Sequence, residues 1–559
     1  MVSTIRWQAL LLFIVFLLVL AVGYVASTRS IAFVPQAGGI YTEGIVGAPL
    51  YLNPILASYN EVDRDLCYLL FDGLTQSDAH GNIEGNLARW WDVSEDGLIY
   101  TFYLRDDARW HDGALVTAKD VLFTIHAIQD PDYRGPAELA AFWRDVAVAQ
   151  LNTYTVRFTL PQPFAPFASY TTIGILPEHI LSGVSAADLP SHSFNLAPVG
   201  TGSFRFKEIN EDRLILERNP YDYRPQPYLD RLQFVFYPDE DAALAAYREG
   251  EIDGVSRVLL DDLTEALQDT SLTLYSAPLC GYTAVFFDTQ SPLFADPALR
   301  QALLYATDRQ QLVDQLLQGQ GLVAHSPIPP YSWAYNGDVP HYAYDPAQAA
   351  RLLDERGWLE QEDAAARNKG SQKLTFTLLT DDNPSHVQVA QELVRQWAAV
   401  GIVADVKVMP VATLIRDHLR PRQFDAVLYE IRSLPIDPDP YPFWHSTQAA
   451  DPGQNLSRLH SAEMDILLEE GRLNGNAQTR KRLYDEFQVR FAQEVPALLL
   501  YYPVYHYAIS NRVRNVQLAP MVNAAERFRT IRDWYVMTRQ VFASEVAATP
   551  SPISSTDRP

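Results

Sequence analysis

Apolar positions along this chain follow two different periods. In its first 280 residues, short segments rich in aromatic and β-branched residues are separated by Gly, Pro and Asp, which predicts strands at 101–104, 154–160, 204–209, 214–217 and 233–237. Beyond that point the period becomes helical. Asp296-Pro297 supplies an N-cap and a first-turn proline ahead of Leu299, Ala302, Leu303 and Ala306. Asp308 is expected to cap a second helix, with Leu312, Val313, Leu316 and Leu317 on one face and Gly319 as its stop. Asp345-Pro346 repeats the device for a helix closing at Gly357. Residues 374–380 read as a strand, 387–400 as an amphipathic helix stopped by Gly401, and 402–408 as an alternating strand. That is a βαβ unit, for which a right-handed crossover and parallel pairing are expected. The apolar, aromatic run 496–507 is expected to return the chain to the first sheet. No internal repeat is present.

The two ends differ from the middle. Arg6 precedes an unbroken apolar run, 9–26, which is followed by the polar residues 27–30. This reads as a secretion element. Its length of about 18 residues lies between a signal-peptide core and a spanning helix. An uncleaved anchor helix is the preferred reading over cleavage, with the rest of the chain outside the cytoplasm. No cysteine follows the run, so a lipid anchor is not expected. Residues 31–38 read as a short linker, and 544–559 as a Ser/Pro-rich mobile tail.

At 559 residues the chain exceeds one hydrophobic core, and two or three globular units are expected. Its 48% hydrophobic and 20% charged residues are those of a folded protein. The net charge of −24 excludes nucleic acid as a partner, since phosphate binding requires clustered Lys and Arg. Cys67 and Cys280 are too far apart for a zinc or redox motif and read as buried thiols. The twelve His show no metal-ligand spacing, so no metal or cofactor is expected. Gly319-x-Gly321-x-x-Ala324 fits a dinucleotide pattern formally but follows a helix where that mechanism needs a strand. His111-Asp112-Gly113 reads as a hairpin turn, not an acid/base site. Nothing in the sequence points to an enzyme.

One stretch is more specific. Residues 87–125, LARWWDVSEDGLIYTFYLRDDARWHDGALVTAKDVLFTI, carry W-x-x-S-x-D-G-x-x-Y-x-F-x-L-R, then W-H-D-G and T-A-x-D-V. Together with LNP at 52–54, LFDGL at 70–74, PVGTGSF at 198–204, GEID at 250–253 and SPIP at 326–329, this resembles the family 5 extracytoplasmic solute-binding proteins. That group contains the dipeptide- and oligopeptide-binding proteins of ABC importers. The resemblance covers roughly residues 38–537.

It implies a two-lobed α/β fold of the periplasmic-binding-protein type II kind, with a hinge and an extra β-rich domain. Mapped onto this chain, the first lobe is 38–72, 197–285 and 500–543, the inserted domain 73–196, and the second lobe 286–499. The implied function is capture of peptides or similar solutes between closing lobes and delivery to an ABC permease, by a monomer. A membrane-anchored sensor or chaperone-like module of the same fold is the alternative.

In peptide-binding members of this family, an acidic residue just ahead of an Asp-Pro or Glu-Pro pair in the second lobe binds the ligand ammonium. The matching segment here, RSLPIDPDPYPFWH at 432–445, offers Asp437 and Asp439, separated by one residue in place of the usual two. A rigid turn in which each Asp satisfies nearby amides is the structural alternative. Tyr441 and Trp444 follow as cleft walls or loop anchors, and Arg432 as a partner for a ligand carboxylate or a solvated surface group. Tyr59 and Asn60 fall where the resemblance implies an edge that pairs with an extended ligand. Trp333 sits on a loop that matches a cleft-facing region, either as a wall or as a loop anchor.

Overall fold

The computed structural model describes residues 7, 13–23, 31–57, 60–362 and 364–542. The largest element of the architecture is a twelve-stranded mixed sheet. Its centre is the fourteen-residue strand Ala497–Ser510, the return strand that the aromatic run implies. One half of this strand pairs antiparallel with Tyr282–Phe287, through which Ala426–Ile431, Thr375–Asp381 and Val403–Met409 follow outward. Its other half pairs with Leu272–Pro278 and Gly254–Val255, and the sheet continues through Ile40–Val46, Arg231–Tyr237, Arg213–Arg218 and Phe204–Ile209. Both halves of the molecule therefore share one ladder.

The expected βαβ unit is Thr375–Asp381, the helix Pro384–Ala398 and Val403–Met409, with the two strands parallel. Asn383 caps the helix by accepting from the Ser385 amide, Pro384 fills its first turn, and Gly401 leaves it with a φ of +77°. The helix expected after Asp308 is different: one α-turn, Arg309–Gln311, gives way to the π-helical Leu312–Leu316. There the Leu317 amide reaches the Leu312 carbonyl at 3.2 Å. This wider turn seats Leu312, Val313 and Leu317 together in the core.

The β-rich insert carries a four-stranded antiparallel sheet in the order Ala88–Val93, Ile99–Leu104, Thr155–Thr159, Ala147–Asn152. Its apolar face joins a core that runs on to Tyr41, Phe234 and Trp534, so the insert is fused to the first lobe. A buried charge network ties that lobe together. Glu43 accepts from Arg527 at 2.6 Å and from the Tyr41 hydroxyl at 2.7 Å, and Arg527 also reaches Asp65 at 2.6 Å. Charges this deep persist because each is paired and hydrogen-bonded.

Residues 31–36 are not a linker: Ile31–Gln36 pairs antiparallel with Met537–Phe542, because the alternating residues of both segments satisfy each other's backbone groups. Of the apolar run 9–26, residues 13–23 are described and helical. Among the described residues no helix is long and apolar enough to cross a membrane. The tail 544–559 lies outside the described residues.

His111 joins the insert to the first lobe. It is buried, its Nδ1 accepts from the Gly200 amide at 3.0 Å, and its Nε2–H donates to the Gly202 carbonyl at 3.1 Å. These partners require the neutral ring, and burial brings its pKa from 6.5 to about 4. Above pH 6.5 neither folded nor unfolded ring is charged and the full stabilisation is present; as pH falls through 6.5 toward 4 the unfolded ring takes up the proton first and stability is lost. The difference corresponds to about 3 kcal/mol. Denaturant unfolding between pH 7 and pH 4 is expected to show this decline, and His111→Gln to lose stability at pH 7 while flattening it.

Candidate ligand-binding site

The loop between Ala426–Ile431 and the short helix Tyr441–Trp444 is clamped from below by two helices, Ala462–Leu473 and Ala477–Glu494. Asp437 receives Arg480 through both oxygens, at 2.9 and 3.0 Å. Asp439 Oδ2 receives Arg472 through two nitrogens, at 2.7 and 3.1 Å. Between the two aspartates, the Pro438 carbonyl accepts from Arg480 at 3.2 Å and from the Tyr484 hydroxyl at 3.0 Å. Pro435, Pro438 and Pro440 restrict φ, and the ion pairs fix what freedom is left. The aspartates hold a rigid turn, and they do so with cations of the same lobe.

Asp439 is only 2% exposed. Burial pushes its pKa up, and Arg472 and Arg480 pull it back only in part. Its Oδ1 has no well-formed hydrogen bond, the Tyr441 amide giving only a weak pull. Asp437 is positioned differently: its Oδ1 also accepts from Trp333 Nε1 at 3.3 Å, and the Arg480 guanidinium lies 5.1 Å from the centre of the Trp333 ring. Trp333 itself is 37% exposed. Tyr441 stacks on His445 and lies under Arg472. Trp444, at 1% exposed, packs against Phe286 and Phe491 and backs the wall from inside the lobe.

Above this loop lies the insert. The tip of the hairpin formed by Thr75–Ser77 and Ile83–Gly85 comes down on Ile436, and a Cβ on Gly81 would stand 3.0 Å from that side chain. The Ala165 amide donates to the Arg472 carbonyl at 2.9 Å, and the Phe164 ring lies 5.0 Å from the Arg472 guanidinium. Between hairpin and loop is a cavity of about 290 Å³, bordered by Ile328, Tyr331, Trp333, Ile436, Asp439 and Phe443. It adjoins a larger cavity of about 690 Å³, with Ala79, Pro435 and Ile436 common to both walls. The larger one is polar: Arg224 grips Asp72 at 2.9 and 3.0 Å, and Arg529 pairs with Glu526. Cys280 also borders the smaller cavity, but burial pushes its thiol up to about 12, which leaves it protonated and unreactive. Among the described residues no group of three or more His, Cys, Asp or Glu is placed to hold a metal ion.

Trp333, Asp437, Asp439, Tyr441 and Trp444 are thus brought together. Arg432 and Asn60 are elsewhere. Arg432 pairs with Glu430 at 2.7 Å with its side chain largely exposed. Asn60 caps the helix Glu61–Leu70, accepting from the Val62 amide at 2.8 Å and donating to the Ala48 carbonyl at 3.0 Å, so its side chain is fully used. Tyr59 lies outside the described residues. The sequence reading missed Arg472, Arg480, Ile436 and the hairpin tip. The two arginines carried no signal, since they meet their partners across 33 and 43 residues.

A chamber between two α/β lobes, with aromatic walls and a desolvated carboxylate, defines a solute-binding protein. The chain belongs to the bacterial extracellular solute-binding proteins, family 5, whose Middle region matches residues 82–452. The oligopeptide-binding protein AppA of Bacillus subtilis (strain 168) is 30% identical over 503 residues, 89% of this chain and 92% of that protein. The structure of Bacillus subtilis AppA in complex with a nonapeptide matches at a TM-score of 0.71 and 29% identity, over 90% of this chain and 100% of that one. NikZ from Campylobacter jejuni in complex with Ni(L-His) matches at 0.73 and 26% identity, over 89% of this chain and 99% of that one.

The clamp makes a testable demand. Arg472→Met leaves Asp439 buried without its cation, which is expected to cost about 3–5 kcal/mol at pH 7. Lowering the pH to 5 lets the carboxyl protonate and should return part of that loss. Chemical unfolding of wild type and variant at both pH values checks it.

Proposed function

We propose that this chain captures short peptides in the chamber between its lobes and hands them to the permease of an ABC importer. The observation that carries the reading is the buried, incompletely bonded Asp439 Oδ1 at the wall of an interlobe cavity, in a member of family 5. Support for peptides in particular comes from AppA, 30% identical and solved with a nonapeptide. In this reading a ligand ammonium takes the free oxygen of Asp439, a charge-assisted hydrogen bond in a water-poor site. Asp437 acts through Trp333, holding the indole in place as a wall, and Tyr441 and Trp444 support the loop from behind. Arg432 and Asn60 would face the solute only at its far end, if it is long. No chemical step is assigned to the site.

The lobes in this proposal are 38–72, 197–285 and 500–543 with the insert 73–196, against 286–499. They close by bending about the shared strand Ala497–Ser510. The apolar run 9–26 serves export and stays attached as a tether. Mass spectrometry of the chain from the membrane fraction should then find residues 1–30 in place.

The ammonium role is tested by calorimetry with a tripeptide and its N-acetylated form. Wild type is expected to bind the free-amine peptide about ten- to a hundredfold more tightly, the worth of one hydrogen bond to a charged group. Asp439→Asn should remove most of that difference. Equal affinity of both forms for the wild type would contradict the role given to Asp439.

A further inference from the structure

The two adjoining cavities differ in chemistry, and the difference bears on which peptides fit. The larger has ion pairs in its walls, Asp72 with Arg224 and Glu526 with Arg529. The smaller is walled by Ile328, Trp333, Leu434, Ile436 and Phe443, with several prolines between them. Neither Lys nor Arg borders it, and the His80 side chain at its edge is largely exposed. A carboxylate placed there would find no Lys or Arg, and of the donors at the wall Tyr331 and Trp333 are already given to Leu279 and Asp437. An apolar group would lose nothing.

Size agrees with chemistry. The smaller cavity measures about 290 Å³, whereas an apolar cavity of about 150 Å³ already takes up benzene. An aromatic or branched side chain fits with room for the atoms that join it to a backbone. Asp439 Oδ1, the buried carboxylate oxygen in this wall without a good donor, fixes where an N–H group of the same solute must lie. From above, the hairpin tip at Gly81 rests on Ile436.

We propose that the smaller cavity is a specificity pocket for an aromatic or branched apolar group adjacent to an N–H donor, so that the preferred peptides begin with a large hydrophobic residue. This deepens the peptide reading above and rests on it. The first side chain fills the apolar pocket, its ammonium meets Asp439, and the rest of the peptide runs into the larger, charge-lined cavity past Pro435 and Ile436. Polar first residues would lose their hydration without compensation.

The test uses the full-length chain in detergent, titrated calorimetrically with the tripeptides Phe-Ala-Ala and Ser-Ala-Ala and with phenylalanine amide, on wild type and on Ile436→Asp. Wild type is expected to prefer the Phe-first peptide by about ten- to a hundredfold, the effect of burying one such side chain. Ile436 is half-buried at the cavity wall, so the variant should keep its thermal midpoint and lose the preference. Equal affinity of wild type for both tripeptides overturns the pocket and leaves the peptide reading standing. Binding of phenylalanine amide that Ile436→Asp abolishes, with neither tripeptide bound, supports the pocket and overturns the peptide reading. No binding of any of the three overturns both.

Discussion

The strand Ala497–Ser510 is the constraint on which the remaining structure depends. Its early residues are bonded to Tyr282–Phe287 and its later ones to Leu272–Pro278, so both lobes hang on one continuous backbone. Sheet hydrogen bonds are too many and too well shielded to be given up for a domain movement. The lobes can therefore bend about this strand but not part from it. A register shift opposite Thr283 and Ala284 places a bulge in the strand close to where its partners change, and bulges are where strands bend. The chamber lies between surfaces whose separation is governed by that bend.

On this frame the chemistry is set by desolvation. The Asp437–Arg480 and Asp439–Arg472 pairs give the Pro-rich loop a single shape, and they also neutralise it. A solute thus meets no strong net charge at the smaller cavity. It meets apolar wall and the Asp439 oxygen that burial has deprived of water and that its own lobe does not fully satisfy. Removing either arginine would alter the shape of the loop and its charge together, which is why these two residues belong to the site although neither needs to touch the solute.

What could be read from the sequence follows from how local each signal is. Strands such as Phe204–Ile209 and the unit Thr375–Met409 were legible because periodicity, caps and positive-φ glycines lie within a few residues of each other. The cluster of Asp437, Asp439, Tyr441 and Trp444 was legible as a segment through the family resemblance. Its partners were not, because an Asp–Arg pair closed across 43 residues leaves no pattern. The pairing of Ile31–Gln36 with Met537–Phe542 joins the two ends of the described chain and was invisible for the same reason. The π-turn at Leu312–Leu316 is a tertiary choice that propensity does not encode. Asn60, which the resemblance places at the ligand edge, has a local duty that its sequence neighbours also signal, the cap of Glu61–Leu70.

The central claim is that solute is held between the hairpin tip around Gly81 and the loop that carries Asp439. Amide hydrogen exchange on the full-length chain, with and without a saturating Phe-first tripeptide, tests it most directly. Protection is expected to rise in the hairpin Thr75–Gly85 and in residues 434–445 together, with Ala497–Ser510 equally protected in both states. Protection gained on only one lobe, or on a surface away from this chamber, would contradict the account.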